Sequence, residues 1–160
     1  EVFRRLGGFD GDFFAHMEEI DFCWRAQLAG YRIRVEPRST VFHVGGGTLP
    51  NNSPQKIYLN FRNNLCMLFK NLSPGTFWPV LFSRMVLDGM AALVFLVQGH
   101  PDFFKKVFRA HIDFHRQRKS LHEKRRAIQR HRVARPHGIL RNSIILLHAF
   151  GYRTFDKVMR

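Results

Sequence analysis

The chain has 160 residues, of which 45% are hydrophobic and 14% aromatic, and this composition excludes a disordered protein. Lysine and arginine total 26 against 12 acidic residues, so the formal net charge of +14 predicts an anionic partner: nucleic acid, a phosphate-bearing ligand or an anionic membrane surface. The two cysteines, Cys23 and Cys66, form no CxxC motif, which argues against a zinc ribbon or a disulfide-stapled scaffold and favours a reducing compartment.

The charge is unevenly divided along the chain. The first 36 residues hold 7 acidic and 5 basic side chains, whereas the remainder holds 5 acidic and 21 basic ones. The sequence also opens without an initiator methionine or a signal-type hydrophobic segment, so we expect it to be a piece of a longer chain.

The first predicted element is a helix over residues 16–29. Its apolar side chains recur at helical spacing (Met17, Ile20, Trp24 and Leu28). Gly30 follows at the position where a glycine commonly ends a helix. Residues 31–35 and 40–44 then alternate apolar and polar side chains, which predicts two short strands before a glycine turn at residues 45–47.

A longer helix is predicted after Ser53 and Pro54, which have the form of an N-cap followed by proline at the first helical position. Its apolar residues line one face until Ser73 and Pro74 stop it (Ile57, Phe61, Leu65, Leu68 and Leu72).

Residues 77–97 form an apolar segment about as long as a bilayer demands. Arg84 and Asp88 would each cost roughly 2.5 to 3.5 kcal/mol at the centre of a bilayer. We therefore expect a helix that lies in the bilayer interface rather than one that spans it. The following residues 103–135 hold 12 basic side chains against two acidic ones, with aromatic residues in their first part.

An acidic cluster, Glu18, Glu19 and Asp21, opens the first helix. Three neighbouring carboxylates repel one another unless a cation, a substrate hydroxyl or a base lies near, so the cluster can hold a general base. The alternative is that the acids only complement the positive end of the helix dipole.

Three ordered motifs surround this cluster: residues 7–37, which begin GGFDGDFF and continue through MEEIDFCWR to a Gly-Tyr pair and a proline; residues 39–48, with His43 before a glycine run; and residues 58–64, with Arg62 and Asn63 on the long helix. Together they resemble the acceptor-side segment of inverting, family-two glycosyltransferases of the GT-A fold, and are most similar to bacterial rhamnosyltransferase-like enzymes. The likeness covers about residues 7–72 and is specific as a set.

The resemblance implies a role for each residue of the cluster. Glu19 takes the position of the aspartate that serves as general base in this family, removing a proton from the acceptor hydroxyl as it attacks the anomeric carbon. Because glutamate is one methylene longer than aspartate, Glu18 remains the alternative base. Asp21 and Arg25, a pair at i,i+4, would position the acids or bind acceptor groups.

The resemblance also implies contacts with the donor. His43 would complete the coordination of a divalent metal, Mn²⁺ or Mg²⁺, on the sugar-nucleotide diphosphate. Arg62, beside Asn63, would grip that diphosphate, or it is an exposed helical arginine. Asp10 and Asp12 have the letters of an Asp-x-Asp metal motif but follow no apolar strand, so the metal is not assigned to them.

The expected architecture is therefore α/β, with residues 1–75 forming the acceptor-side half of a GT-A, Rossmann-like catalytic domain. Residues 76–135 would form apolar and then basic amphipathic helices associated with a membrane, and residues 136–160 a short helical segment. The expected partners are a nucleotide-sugar donor, a saccharide or lipid-linked acceptor and an anionic membrane surface, at the cytoplasmic face of the cell membrane and without nucleic acid.

Two other interpretations compete with this one. A basic nucleic-acid-binding module would explain the charge and the sequence pI near 11.0, but residues 103–135 carry no RRM, KH, zinc-finger or helix-turn-helix signature. A structural membrane-associated domain would explain the apolar and basic segments. Both interpretations leave the acidic cluster without a purpose.

Overall fold

The computed structural model describes residues 1–42, 50, 53–136 and 151, and helices make up most of that part of the chain. They are α1 (Val2–Arg5), α2 (Glu18–Leu28), α3 (Pro54–Asn71), α4 (Pro74–Val97), α5 (Pro101–Arg116) and α6 (Arg118–Arg130), with a turn of 3-10 helix at Gly11–Phe13. These bounds confirm the helices predicted around residues 16–29, after Ser53 and over residues 77–97.

The predicted ends of α2 and α3 are confirmed in detail. The Ser53 hydroxyl accepts a hydrogen bond from the backbone N–H of Lys56 at 3.2 Å, so it caps α3 as expected. Gly30 ends α2 with a φ of 88°, and the N–H of Tyr31 reaches back to the carbonyl of Ala26 at 3.0 Å. Glycine adopts this left-handed conformation without the steric penalty of a side chain, so the chain turns sharply there.

The long helix α3 is the centre of the fold, because it packs against α2, α4, α5 and α6. The core around it is rich in aromatic rings. The ring of Phe69 lies 5.1 Å from that of Phe77 on α4 and 5.7 Å from that of Phe114 on α5, both edge-on. Edge-on pairs of this kind stabilise a core beyond the apolar area that they bury.

The apolar helix α4 has two different faces. Its inner face is buried and carries Asp88, whose Oδ1 lies 2.7 Å from Nε of Arg84 and whose Oδ2 lies 3.1 Å from Nε2 of His111 on α5. Its outer face is an apolar stripe whose members are between 49% and 88% exposed (Trp78, Phe82, Val86, Met90, Leu93 and Val97). The carboxylate of Asp88, which would be costly to place in an apolar medium, therefore faces the interior of the protein.

The predicted α/β fold is wrong. The described residues contain no strand and no sheet, and the chain there is helical. Residues 31–42 run without regular secondary structure except for a turn at 37–38, and the side chains of Val35 and Val41 are 89% and 82% exposed. A strand needs a neighbouring strand to pair its backbone groups, and no described segment supplies one. The alternation in YRIRV therefore produces no half-buried strand, and no GT-A-type sheet is present in the described part.

The predicted division between residues 75 and 76 falls within the first turn of α4, and the side chains of α4 share one core with those of α3, α5 and α6. The three-part division itself stays a prediction. The second predicted strand extends beyond Phe42 and the glycine turn lies within 43–49, so these lie outside the described residues, as does nearly all of the predicted helical segment at 136–160.

Candidate functional site

The backbone that leads into α2 is strained. Phe14, His16 and Met17 have φ angles of 62°, 68° and 73°, a region that residues with side chains rarely adopt. Each such residue costs on the order of 1 to 3 kcal/mol, so the surrounding structure must hold the segment in place. Strain of this kind is concentrated at functional sites, and here it directly precedes Glu18 and Glu19.

Two side chains of α3 hold this strained segment. The Asn63 amide donates to the carbonyl oxygens of Phe13, Ala15 and His16, at 2.9, 2.8 and 2.8 Å. Arg62 donates through Nη2 to the carbonyl of Asp12 at 2.6 Å and through Nε to Oδ1 of Asn63 at 2.9 Å. Asn63 is fully buried, and its bond to the carbonyl of Phe13 forms away from water, where leaving a carbonyl unpaired is costly.

The structure thus places the predicted substrate-binding residues Arg62 and Asn63 against the backbone of residues 12–16. Their guanidinium and amide groups are engaged within the protein, and the contact of Arg62 with a diphosphate remains a prediction.

The two candidate bases lie on the first turn of α2 and differ in exposure. Glu19 is exposed, whereas Glu18 is half-buried and its Oε2 is buried without a hydrogen-bond partner among the described residues. Nε2 of His16, in the strained segment, is likewise buried and unpartnered. Glu18 therefore has an oxygen free to accept a hydrogen bond, and it lies beside the exposed carboxylate of Glu19 at a helix N-terminus, which favours negative charge.

Asp21 and Arg25 have a different environment from the two glutamates. Asp21 is fully buried; it accepts from Nε of Arg25 at 2.8 Å and from Nδ2 of Asn71 at 2.7 Å. Arg25 also donates to the carbonyl oxygens of Leu6 and Gly8, both at 2.7 Å. The pair therefore connects α2 to α3 and to residues 7–11, the glycine segment that precedes the strained loop. Its predicted role toward an acceptor stays a prediction.

A charged cluster around Asp10 was not predicted from the sequence. Asp10 is paired with Lys70 of α3 and with Lys124 of α6, and Lys124 also lies 2.7 Å from Asp12. Burial by itself raises the pKa of Asp10, but the hydrogen bonds from Lys124 and Lys70 outweigh it and lower that pKa to about 2. Asp10 and Asp12, the two acidic residues of GGFDGD, therefore form ion pairs with Lys70 and Lys124.

One signal in the sequence does point to this cluster. Asn63, Lys70 and Asn71 are spaced i, i+7 and i+8, which puts them on one face of α3, separate from its apolar face. A polar face on a helix that packs on several sides predicts buried hydrogen bonds. Their partners cannot be read from the sequence, because Asp10 and Lys124 lie far from Lys70 along the chain.

The predicted metal ligand His43 lies outside the described residues. Within the described part of the chain, no group of three or more histidine, cysteine or acidic side chains could hold a metal ion. These residues do not fit a metal site on their own, and the divalent cofactor stays a prediction.

Comparison of the chain with protein-family models, with curated proteins and with solved structures gave no match.

The Asp10 cluster predicts how stability depends on pH. The pKa of Asp10 falls from 3.8 to about 2 on folding, so its contribution is fully present above pH 3.8 and is lost as the pH falls toward 2. We expect Asp10→Asn to lower the free energy of unfolding at pH 7 by about 2 kcal/mol and to flatten its decline between pH 4 and 2. Urea unfolding followed by circular dichroism at several pH values measures both effects.

Asp102→Asn is the matched control, because Asp102 is an exposed helical aspartate with a single distant lysine partner. A parent-like pH dependence in Asp10→Asn would contradict the stabilising role of the cluster.

Proposed function

We propose that the protein transfers a sugar from a nucleotide-sugar donor to an acceptor hydroxyl with inversion, and that Glu19 is the general base. One observation carries this proposal: a strained loop, held by Asn63 and Arg62, leads directly into two neighbouring glutamates, of which Glu19 is exposed to an acceptor. A carboxylate must be held in place to act as a base, and a loop fixed from a buried helix does so. The ordered likeness of residues 7–72 to family-two glycosyltransferases supports the same reaction.

The chemistry needs one carboxylate on the acceptor side. Glu19 accepts the proton of the acceptor hydroxyl while that oxygen forms a bond to the anomeric carbon. The bond from the same carbon to the nucleoside diphosphate breaks, and the diphosphate leaves with the electron pair. A single displacement of this kind inverts the configuration at the carbon. Glu19 is exposed, so an acceptor can reach it.

Phe14 offers a further feature suited to an acceptor. Its side chain is 75% exposed although it lies in the strained segment beside the glutamates. An exposed aromatic ring next to polar groups can pack against the apolar face of a sugar while a carboxylate binds a hydroxyl. The strained backbone holds this ring out in solvent instead of in the core.

The assignment of the base is tested by Glu19→Gln, which keeps the shape of the side chain and removes the proton acceptor. We expect turnover to fall by on the order of 10² to 10⁴, with donor affinity little changed. The assay is release of nucleoside diphosphate by the full-length protein, from a panel of nucleotide sugars with saccharide and lipid-linked acceptors.

Glu123→Gln, on the exposed surface of α6, is the matched control and should keep parent turnover. Loss of turnover in Glu18→Gln but not in Glu19→Gln would move the base to Glu18. Near-parent turnover in both glutamate variants would contradict the proposal.

We also propose that the protein acts at the cytoplasmic face of a membrane, bound to an anionic surface without spanning it. The outer stripe of α4 supplies apolar area, and Arg84 and Asp88 face away from it. By length and composition alone, α4 could cross a membrane. Three exposed cations on the adjoining α5 outnumber their two acidic partners, Asp102 and Asp113, and this net positive charge supplies the attraction to anionic lipid (Lys105, Arg109 and Arg116). Such a position suits an acceptor carried on a lipid.

Flotation with liposomes tests this location. We expect the protein to bind anionic vesicles at low salt and to be released at high salt, because lysine and arginine near an anionic surface are each worth about 1 kcal/mol. Replacing both Phe82 and Leu93 with serine should weaken binding about tenfold or more by removing buried apolar area. Replacing the exposed Val35 and Val41 with serine is the control and should leave binding unchanged.

Binding to neutral and anionic vesicles alike, resistant to salt and to carbonate extraction, would show that α4 spans the bilayer. No binding to either kind of vesicle would contradict a membrane location.

A further inference from the structure

A cleft of about 790 Å³ lies between the N-terminal segment and α6. Its volume is within the range of about 300–1,000 Å³ that is usual for small-molecule sites. Residues from α1, the glycine segment, α2, α3 and α6 line it, so five separate parts of the chain meet there. Neither Glu18 nor Glu19 is among the lining residues, which sets the cleft apart from the proposed catalytic carboxylates.

The charges of the cleft are strongly unequal. Asp10 is the one acidic residue among the described residues that line it. By contrast, the lining includes five side chains that are cationic at neutral pH (Arg5, Arg25, Lys70, Lys124 and Arg130). A cleft lined by charges of one sign concentrates the electrostatic potential and raises the local concentration of counter-ions.

The cations divide into two groups. Arg25, Lys70 and Lys124 are bound to carboxylates and act within the protein. Arg5 and Arg130 are exposed and have no ion pair with any described residue. They are the last residues of α1 and α6, and both line the cleft. The excess positive charge therefore sits on groups that remain available to a ligand.

Apart from His131, the remaining lining is apolar or aromatic. Phe9 is 52% exposed, Tyr31 is half-buried, and Ile128 and Val133 complete this part of the surface. A cluster of basic residues that serves only solubility would need no apolar or aromatic side chains beside it. A cleft that combines apolar side chains with unpaired arginines fits a ligand with an anionic group at one end and a ring or hydrocarbon at the other.

We propose that this cleft binds a small molecule that carries a phosphate or diphosphate group. Arg5 and Arg130 bind the phosphate oxygens, because the planar guanidinium group matches phosphate with two parallel hydrogen bonds. Phe9 and Tyr31 contact the organic part of the ligand. The four residues that contact the ligand, Arg5, Arg130, Phe9 and Tyr31, have no assigned part in the proposed glycosyl transfer, and Arg25 is the one lining residue that does.

Titration calorimetry with the full-length protein tests the proposal, with inorganic pyrophosphate as the first probe and phenyl phosphate as the second. We expect saturable binding of both probes that weakens as salt is raised. Replacing both Arg5 and Arg130 with glutamine should raise each dissociation constant about tenfold or more, because charge-assisted hydrogen bonds are lost. Phe9→Ala should weaken phenyl phosphate more than pyrophosphate.

The matched control replaces both Arg4 and Arg126 with glutamine, which removes one exposed arginine from each of α1 and α6 without altering the lining of the cleft. Both variants alter exposed side chains, and far-UV circular dichroism checks that each keeps the parent helix content. The control should bind each probe within about twofold of the parent.

Three results would overturn the proposal. The first is an absence of saturable binding of either probe. The second is an equal loss of binding when Arg4 and Arg126 are replaced, which would show a general effect of positive charge. The third is binding to phosphatidylglycerol vesicles with no binding of the soluble probes, which would assign Arg5 and Arg130 to lipid headgroups.

Discussion

The polar face of α3 is the feature on which the rest of the structure depends. Asn63 binds three carbonyl oxygens of the strained segment, and Lys70 lies between Asp10 and Asp21, both within hydrogen-bond reach. Asn71 completes the contact with Asp21. Because these side chains are buried, each unmet hydrogen bond would be costly, so the segment before α2 and α2 itself are fixed together.

This arrangement links stability to the proposed chemistry. The apolar face of α3 forms the core with α4, α5 and α6, while its polar face holds the strained loop and, through it, Glu18 and Glu19. The same helix also supplies Lys70 to the basic cleft. The polar face of α3 therefore contacts both the segment before the candidate base, through Asn63, and the proposed phosphate site, through Lys70. Neither contact requires a sheet among the described residues.

The sequence predicts the helices well because their signals are local. Ser53, Pro54 and Gly30 mark helix ends through backbone chemistry that acts within a few residues. The strands could not be predicted reliably, because the alternation at residues 31–35 becomes a strand only where a partner strand exists. The roles of Lys70 and Lys124 could not be predicted either, since their shared partner Asp10 is distant in sequence. The glutamate pair was found from its motif, but the means by which it is held came only from the structure.

The central claim is that Asn63 holds the segment that presents the glutamates, and amide hydrogen exchange in Asn63→Ala tests it most directly. The account predicts that protection is lost at residues 13–21, where the N–H of Asp21 bonds the carbonyl of Met17, while α5 keeps parent protection. Asn60→Ala, on the same helix, is the control and should exchange as the parent does. Unchanged protection of residues 13–21 in Asn63→Ala would contradict the account.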